Sequence, residues 1–147
     1  MPIANEVSKL PPQSEHETQS RIINLIKERG GVVTRINSGS MIAKSKDDRC
    51  YRVNLADKGT SDIIALYCGV YLAIEVKYGD NKATKEQVAF LESVAAAGGV
   101  GLVAFDCEFV EKVLINIDYA GLEAIKDTSS ALSNLYAPNR IFVRGEE

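Results

Sequence analysis

Gly59-Thr60-Ser61-Asp62-Ile63-Ile64-Ala65-Leu66-Tyr67-Cys68-Gly69-Val70-Tyr71-Leu72-Ala73-Ile74-Glu75-Val76-Lys77 is the stretch whose reading decides the fold. Two short apolar runs, 62–67 and 70–77, flank the dipeptide Cys68-Gly69, and such a pair across a two-residue turn reads as a β-hairpin. Side chains alternate across a strand. Leu72, Ile74 and Val76 therefore share one face, and Tyr71, Ala73, Glu75 and Lys77 the other. Glu75 and Lys77 become neighbours roughly 6–7 Å apart along the strand. On a central strand, burying such charges costs several kcal/mol unless they are paired or bind an ion. The two form either a salt bridge near a strand end or part of an ion site. The hairpin also reverses the chain, which brings Asp62 beside Glu75 and Lys77. Alone, Asp62 reads equally as a turn residue satisfying backbone N–H groups. With the other two, it puts a pair of carboxylates and one ammonium at one end of a sheet. Carboxylate oxygens are hard ligands that suit Mg²⁺ or Mn²⁺.

Upstream, Ser14-x-x-Glu17 reads as a capping box. Ile22, Ile23, Leu25 and Ile26 follow at helical spacing, and Gly30-Gly31 ends the run. At 100° per residue, Ile22 and Ile26 lie within about 20° of Glu15, whereas Glu17 is turned about 200° from it. Glu15 thus points the way the core stripe points and is the third candidate carboxylate; Glu17 is the cap. A first-turn acid favoured by the helix dipole is the plainer reading of Glu15. Residues 32–36 read as a strand. Residues 37–58 are polar and basic, with a short strand expected at 51–55 and either a long loop or an extra hairpin overall.

Downstream, Thr84-x-x-Gln87 is a second capping box, and Val88, Leu91, Val94 and Ala95 trace a buried helical stripe closed by Gly98-Gly99. Residues 100–105 read as a strand, a short helix is expected around Phe109, Val113 and Leu114, and another over 121–136. Residues 138–147 read as a terminal strand or a tail. The order describes an α/β domain with a mixed central sheet flanked by helices. The expected organisation is an N-terminal arm at 1–13, a core at 14–115 and a C-terminal helical extension of the same domain at 116–147.

The chain has 147 residues, the size of one ordinary domain, and is 46% hydrophobic and 25% charged. No apolar run is long enough to cross a bilayer, and 1–14 lacks the features of a signal peptide. The expected location is the cytoplasm, with no membrane partner. Cys50, Cys68 and Cys107 are odd in number and widely spaced, which argues against a disulfide framework or a zinc site. One histidine, His16, makes a His-based metal site or a Ser-His-Asp triad an unsuitable reading. No Gly-x-Gly-x-x-Gly or P-loop pattern supports a small-molecule α/β enzyme. The net charge of −3 does not advertise a nucleic-acid binder, but residues 27–58 carry eight basic side chains against four acidic. Arg35, Ser38, Lys44, Lys46, Arg49 and Lys58 in or beside this stretch, with Lys82 and Lys85 after the hairpin, are candidate phosphate contacts. A solvated basic surface is the plainer reading of each.

Taken in order, Glu15-x-x-x-Gln19, Arg35-Ile36-Asn37-Ser38-Gly39, Gly59-Thr60-Ser61-Asp62, Ile74-Glu75-Val76-Lys77, Thr84-Lys85-Glu86-Gln87 and Gly98-Gly99 resemble the VRR-NUC family of the PD-(D/E)XK nuclease superfamily. The resemblance covers roughly 14–115. One departure is Ser61, where the family usually has proline. The resemblance implies an αβββαβ core and Mg²⁺-dependent phosphodiester hydrolysis, with Mn²⁺ as an alternative ion. It implies Asp62 and Glu75 as metal ligands, Glu15 as a ligand directly or through water, Lys77 as the residue that orients the attacking water or steadies the phosphate, and Gln87 as an accessory catalytic residue. It further implies DNA as partner, branched flap or Holliday-junction DNA as substrate, and a stand-alone, phage-type protein acting in the host cytoplasm. Symmetric junction resolution would require a homodimer. The alternative is a nucleic-acid-binding module that keeps the fold and does not cut.

Overall fold

The computed structural model describes residues 11, 14–36 and 40–145. Helix α1 (Glu15–Glu28) starts at Ser14, whose hydroxyl accepts from the Glu17 N–H at 3.0 Å. The helix buries Ile22 and Ile26 completely, each contributing roughly 1.5–3 kcal/mol. Strand β1 (Val32–Arg35) follows, then a separate hairpin of β2 (Ser40–Lys44) and β3 (Cys50–Asn54). The expected strand at 51–55 is thus one arm of the extra hairpin. Strands β4 (Ile63–Tyr67) and β5 (Val70–Val76) form the hairpin read from the sequence, with Ile63 opposite Ile74 and Tyr67 opposite Val70. Its turn residues, Cys68 (φ 48°) and Gly69 (φ 79°), are both left-handed, as a two-residue turn matching the strand twist demands.

Helix α2 (Lys85–Ala96) connects β5 to β6 (Val100–Ala104), which runs parallel to β5. The five-stranded sheet has the order β1-β4-β5-β6-β7, so β5 is central, and every pairing except β5–β6 is antiparallel. The mixed sheet is the α/β architecture expected. One face packs Leu72, Ile74 and Val76 against α1 and against Phe109, Val113 and Leu114; the other packs Ala73 and Val103 against Leu91 and Val94 of α2. That division is the alternation read along residues 70–77.

Two expected helices after β6 are one. Helix α3 (Cys107–Leu135) begins at the Asp106 cap and passes through Gly121, whose φ of +68° the absence of a Cβ permits. Apolar residues on both sides of that glycine, Phe109, Val110, Val113, Leu114 and Ile117 before it and Ile125 after it, are buried against the same core. The boundary expected at 115/116 therefore falls inside a helix. Beyond it, β7 (Arg140–Phe142) adds an edge strand to β6, so the terminal segment is a strand and not a tail. Among the described residues, no helix is long and apolar enough to cross a membrane. The N-terminal arm, apart from Pro11, lies outside the described residues.

Candidate active site

Asp62, Glu75 and Lys77 meet at one end of the sheet, where the hairpin reading put them. Because Ile63 pairs with Ile74, Asp62 and Glu75 occupy the next step of the same ladder. Asp62 is held from two sides. Its Oδ2 accepts from the Val76 N–H at 2.9 Å, and its carbonyl accepts from the Ile36 N–H at 2.7 Å. Glu75 is 2% exposed. Its Oε1 accepts from Gln87 Nε2 at 2.7 Å and faces the Lys77 ammonium at 3.3 Å. Its Oε2 is buried and has no hydrogen-bond partner.

That oxygen matters because a buried, unpaired polar atom costs about 1–3 kcal/mol, and more when charged. Burial, and then the charge of Asp62, push the Glu75 carboxyl up to about 8, against the pull of Lys77. With both carboxyls ionised the pocket holds two negative charges against one ammonium, an imbalance that a proton on Glu75 closes in the metal-free protein. A divalent cation fits the same deficit: it would take oxygens from Asp62 and Glu75 and give Oε2 the partner it lacks. Among the described residues, no three His, Cys, Asp or Glu side chains form a ready metal cage.

Glu15 faces the same end. Its carboxyl is raised by partial burial first and by the charge of Asp62 second, while Lys77 draws it down. It lies in the field of the pair without joining it in a three-acid cluster. Glu17 turns away and pairs with Arg21 one helical turn on. Gln87 closes the capping box and also reaches Glu75. Its Oε1 accepts from the Thr84 N–H at 2.8 Å, closing the capping box, and its amide NH₂ donates to Glu75.

The helices add to the site's charge. α2 and α3 follow the C-terminal ends of the parallel strands β5 and β6, and α1 brings Glu15 to the same end. Gln87 and Glu15 thus bring two helix N-termini, those of α2 and α1, each worth roughly half a positive charge, beside the carboxylates, while α3 starts at the same end of the sheet. Arg35 ends β1 opposite Ile63, exposed and 3.5 Å from His16. Lys82 and Lys85 are exposed at the approach to α2, and Lys58 pairs with Glu86 at 3.2 Å. Lys44, Lys46 and Arg49 lie on the β2–β3 hairpin. Ser38 lies outside the described residues.

Two features escaped the sequence reading. Ser61 is fully buried, and its hydroxyl has no partner; alternation puts it on the face opposite Asp62. Gly59 (φ +90°) presses against α2 so closely that a Cβ there would sit 2.5 Å from the Glu86 carbonyl oxygen. Only glycine allows that contact, and it roots the segment before β4 on the first turn of α2. A glycine three residues before Asp62 was the available signal, but its partner, 27 positions on, was not. No protein-family model matches this chain, and no curated protein matches it either.

Proposed function

We propose that the chain is a metal-dependent nuclease of the PD-(D/E)XK type, resembling VRR-NUC proteins, which hydrolyses phosphodiester bonds in DNA. The observation that carries this reading is the orphaned, buried Glu75 oxygen beside Asp62. A purely structural salt bridge would match its charges, as Glu75 and Lys77 alone do; adding Asp62 spoils the match unless Glu75 holds a proton or a cation binds. Asp62 and Glu75 would hold Mg²⁺ or Mn²⁺, with Glu15 reaching it through water. When bound, the cation supplies neutralised phosphate charge and a more acidic attacking water. Lys77 holds a fixed positive charge where the phosphate would lie, and Gln87 keeps the Glu75 carboxylate from swinging away. The exposed cations Arg35, Lys82 and Lys85 border the end of the sheet at which a DNA backbone would enter.

The alternative of a non-cleaving nucleic-acid module accounts poorly for buried acids facing a phosphate chain. The hollow along α3, lined by Ile115, Tyr119, Ala124 and Thr128, is open and made by one helix, so it does not favour a small-molecule enzyme. The test is a cleavage panel of linear duplex, single-stranded, flap and four-way-junction DNA, each with Mg²⁺, Mn²⁺ or EDTA, beside Glu75→Gln. Metal-dependent cutting lost in the variant is the expected result. Intact binding with no cutting of any DNA would overturn the nuclease and leave the binding module.

A further inference from the structure

Among the described residues, the buried polar side chains are Thr18, Ser61, Glu75 and Asn139. Three of them are accounted for. Thr18 donates to the Ser14 carbonyl at 3.1 Å, Asn139 bonds Asp106 and the Phe105 N–H, and Glu75 belongs to the proposed metal site. Ser61 is not accounted for. It is 0% exposed, and its hydroxyl has no hydrogen-bond partner. A buried, orphaned hydroxyl is rare and calls for an explanation, because it gives up its bonds to water without replacing them. Alanine would fill nearly the same space without that loss.

The fold says what Ser61 faces. Ile63, Ala65 and Tyr67 line the α1 side of β4, and alternation puts Ser61 on that side. At the far end of β4, Arg29, the residue that ends α1, donates to the Tyr67 hydroxyl. From that contact back to Ser61 is a run of six residues along the strand, and back to Glu15 a run of fourteen along the helix. At roughly 3.3 Å and 1.5 Å per residue, both runs cover about 20 Å. The first turn of α1 therefore arrives level with Ser61. Thr18 lies within about 60° of Glu15 around the helix, so both are turned toward the sheet. Thr18 is fully buried, Glu15 is half-buried, and Glu15 lies in the field of Asp62.

We infer that Ser61 is a positioning residue for Glu15: its hydroxyl and that of Thr18 hold a water between the sheet and the first turn of α1, and this water sets the Glu15 carboxylate for the cation. The inference rests on the metal site of the nuclease reading and deepens it. A buried water takes two to four polar partners. Ser61 offers one O–H and two lone pairs, Thr18 keeps lone pairs beyond the bond it donates to Ser14, and the Glu15 carboxylate accepts. Groups that orient a metal ligand from behind fix its direction as firmly as the ligand's own rotamer does.

The test melts the wild type, Ser61→Ala, Glu15→Ala and the double variant in EDTA, and then across a Mg²⁺ titration without DNA. An idle hydroxyl predicts that Ser61→Ala melts at or above the wild-type temperature, since an orphan has been removed. A water held for Glu15 predicts that Ser61→Ala melts lower, and that most of this loss disappears when Glu15 is already alanine. Half-maximal stabilisation by Mg²⁺ should need about tenfold more ion in Ser61→Ala, the usual cost of losing a group that orients a metal ligand. An unchanged or raised melting temperature with an unchanged Mg²⁺ requirement would overturn the assignment. So would a lower melting temperature that simply adds to that of Glu15→Ala while the Mg²⁺ requirement stays fixed, which would make the hydroxyl a piece of packing. A raised Mg²⁺ requirement in a protein that cuts no DNA removes the nuclease and keeps the role of Ser61. Metal-dependent cutting with the same Mg²⁺ requirement in the wild type and Ser61→Ala keeps the nuclease and removes that role.

Discussion

Strand β4 carries a polar cluster at each end, and the two are built on opposite principles. At the turn end, Arg29 Nη2 lies 2.6 Å from Asp118, Arg29 Nε donates to the Tyr67 hydroxyl at 3.3 Å, and that hydroxyl donates to Asp118. One cation meets one carboxylate, and Asp118 is exposed to water. The cluster ties the end of α1 to the β4–β5 turn and to α3, and its charges close. At the other end, Asp62 and Glu75 face one ammonium, and an oxygen of Glu75 is sealed from water without a partner. The first is what a fold does to hold itself together. The second is unfinished as a structural device, and the proposed metal site rests on that.

The largest expected effects should therefore separate the two ends by kind. Glu75→Gln and Asp62→Asn should each lower metal-dependent cleavage by at least about a thousandfold, the several kcal/mol that a bound metal ion contributes. Neither should lower the melting temperature of the metal-free protein. Tyr67→Phe should cost on the order of 1 kcal/mol of stability, one net hydrogen bond, and leave cleavage unchanged. Chemical denaturation beside a single-turnover assay reads both. A Tyr67→Phe protein that folds normally yet fails to cut would erase the distinction.

The two ends also carry opposite pH signatures. Glu75 is pushed up from 4.5 to about 8 by burial and by Asp62. A group raised in the folded state contributes stability that is complete below its unfolded value and is lost as pH rises through its folded one. Without divalent ions, the melting temperature should therefore fall as pH climbs from 4.5 through about 8. Glu75→Gln should remove that fall, and saturating Mg²⁺ should offset it in the wild type. Asp118 runs the other way. The Tyr67 hydroxyl and then Arg29 hold it below the usual carboxylate range, so its contribution is lost as pH drops. Being exposed, it should give the shallower slope. A wild-type melting temperature that does not change across the alkaline limb, with Glu75→Gln matching it, would mean the Glu75 carboxyl is not raised.

The same contrast explains what was legible in the sequence. Period-2 alternation across Cys68-Gly69 was enough to place Asp62, Glu75 and Lys77 together, because a tight turn fixes register over a short distance. The acid on α1 followed from helical period alone. The Arg29–Tyr67–Asp118 cluster was not legible, because its members are 38 to 89 residues apart and meet only through the packing of α1 and α3. Nor was the orphaned state of Glu75, which depends on what α2 covers. The unity of α3 was hidden by Gly121, normally read as a helix end. The edge strand β7 was left open against a tail because three residues carry too little periodicity.

A finer test of the site end concerns Gln87, which serves two masters. Thr84→Ala removes the cap and should cost roughly 1 kcal/mol of stability with cleavage largely retained. Gln87→Ala should cost about the same stability and also slow cleavage about tenfold, since Glu75 loses its amide partner. Equal loss of activity in both variants would mean that Gln87 acts only by starting the helix.

The smallest effect tests the geometry of α1. Glu15 and Glu17 are both first-turn acids, so a helix-dipole argument treats them alike. Their faces do not. Glu15 feels Asp62 and Lys77, whereas Glu17 pairs with Arg21 on a half-exposed surface, an interaction worth about 0.5 kcal/mol. Glu15→Gln should slow cleavage and weaken the response to Mg²⁺ concentration, because a carboxylate acting through water contributes less than one bound directly. Glu17→Gln should shift stability by about 0.5 kcal/mol and change neither. A Mg²⁺ titration of cleavage with the two variants side by side decides it: parallel curves would return Glu15 to the status of a dipole-favoured surface acid and reduce the site to Asp62, Glu75 and Lys77.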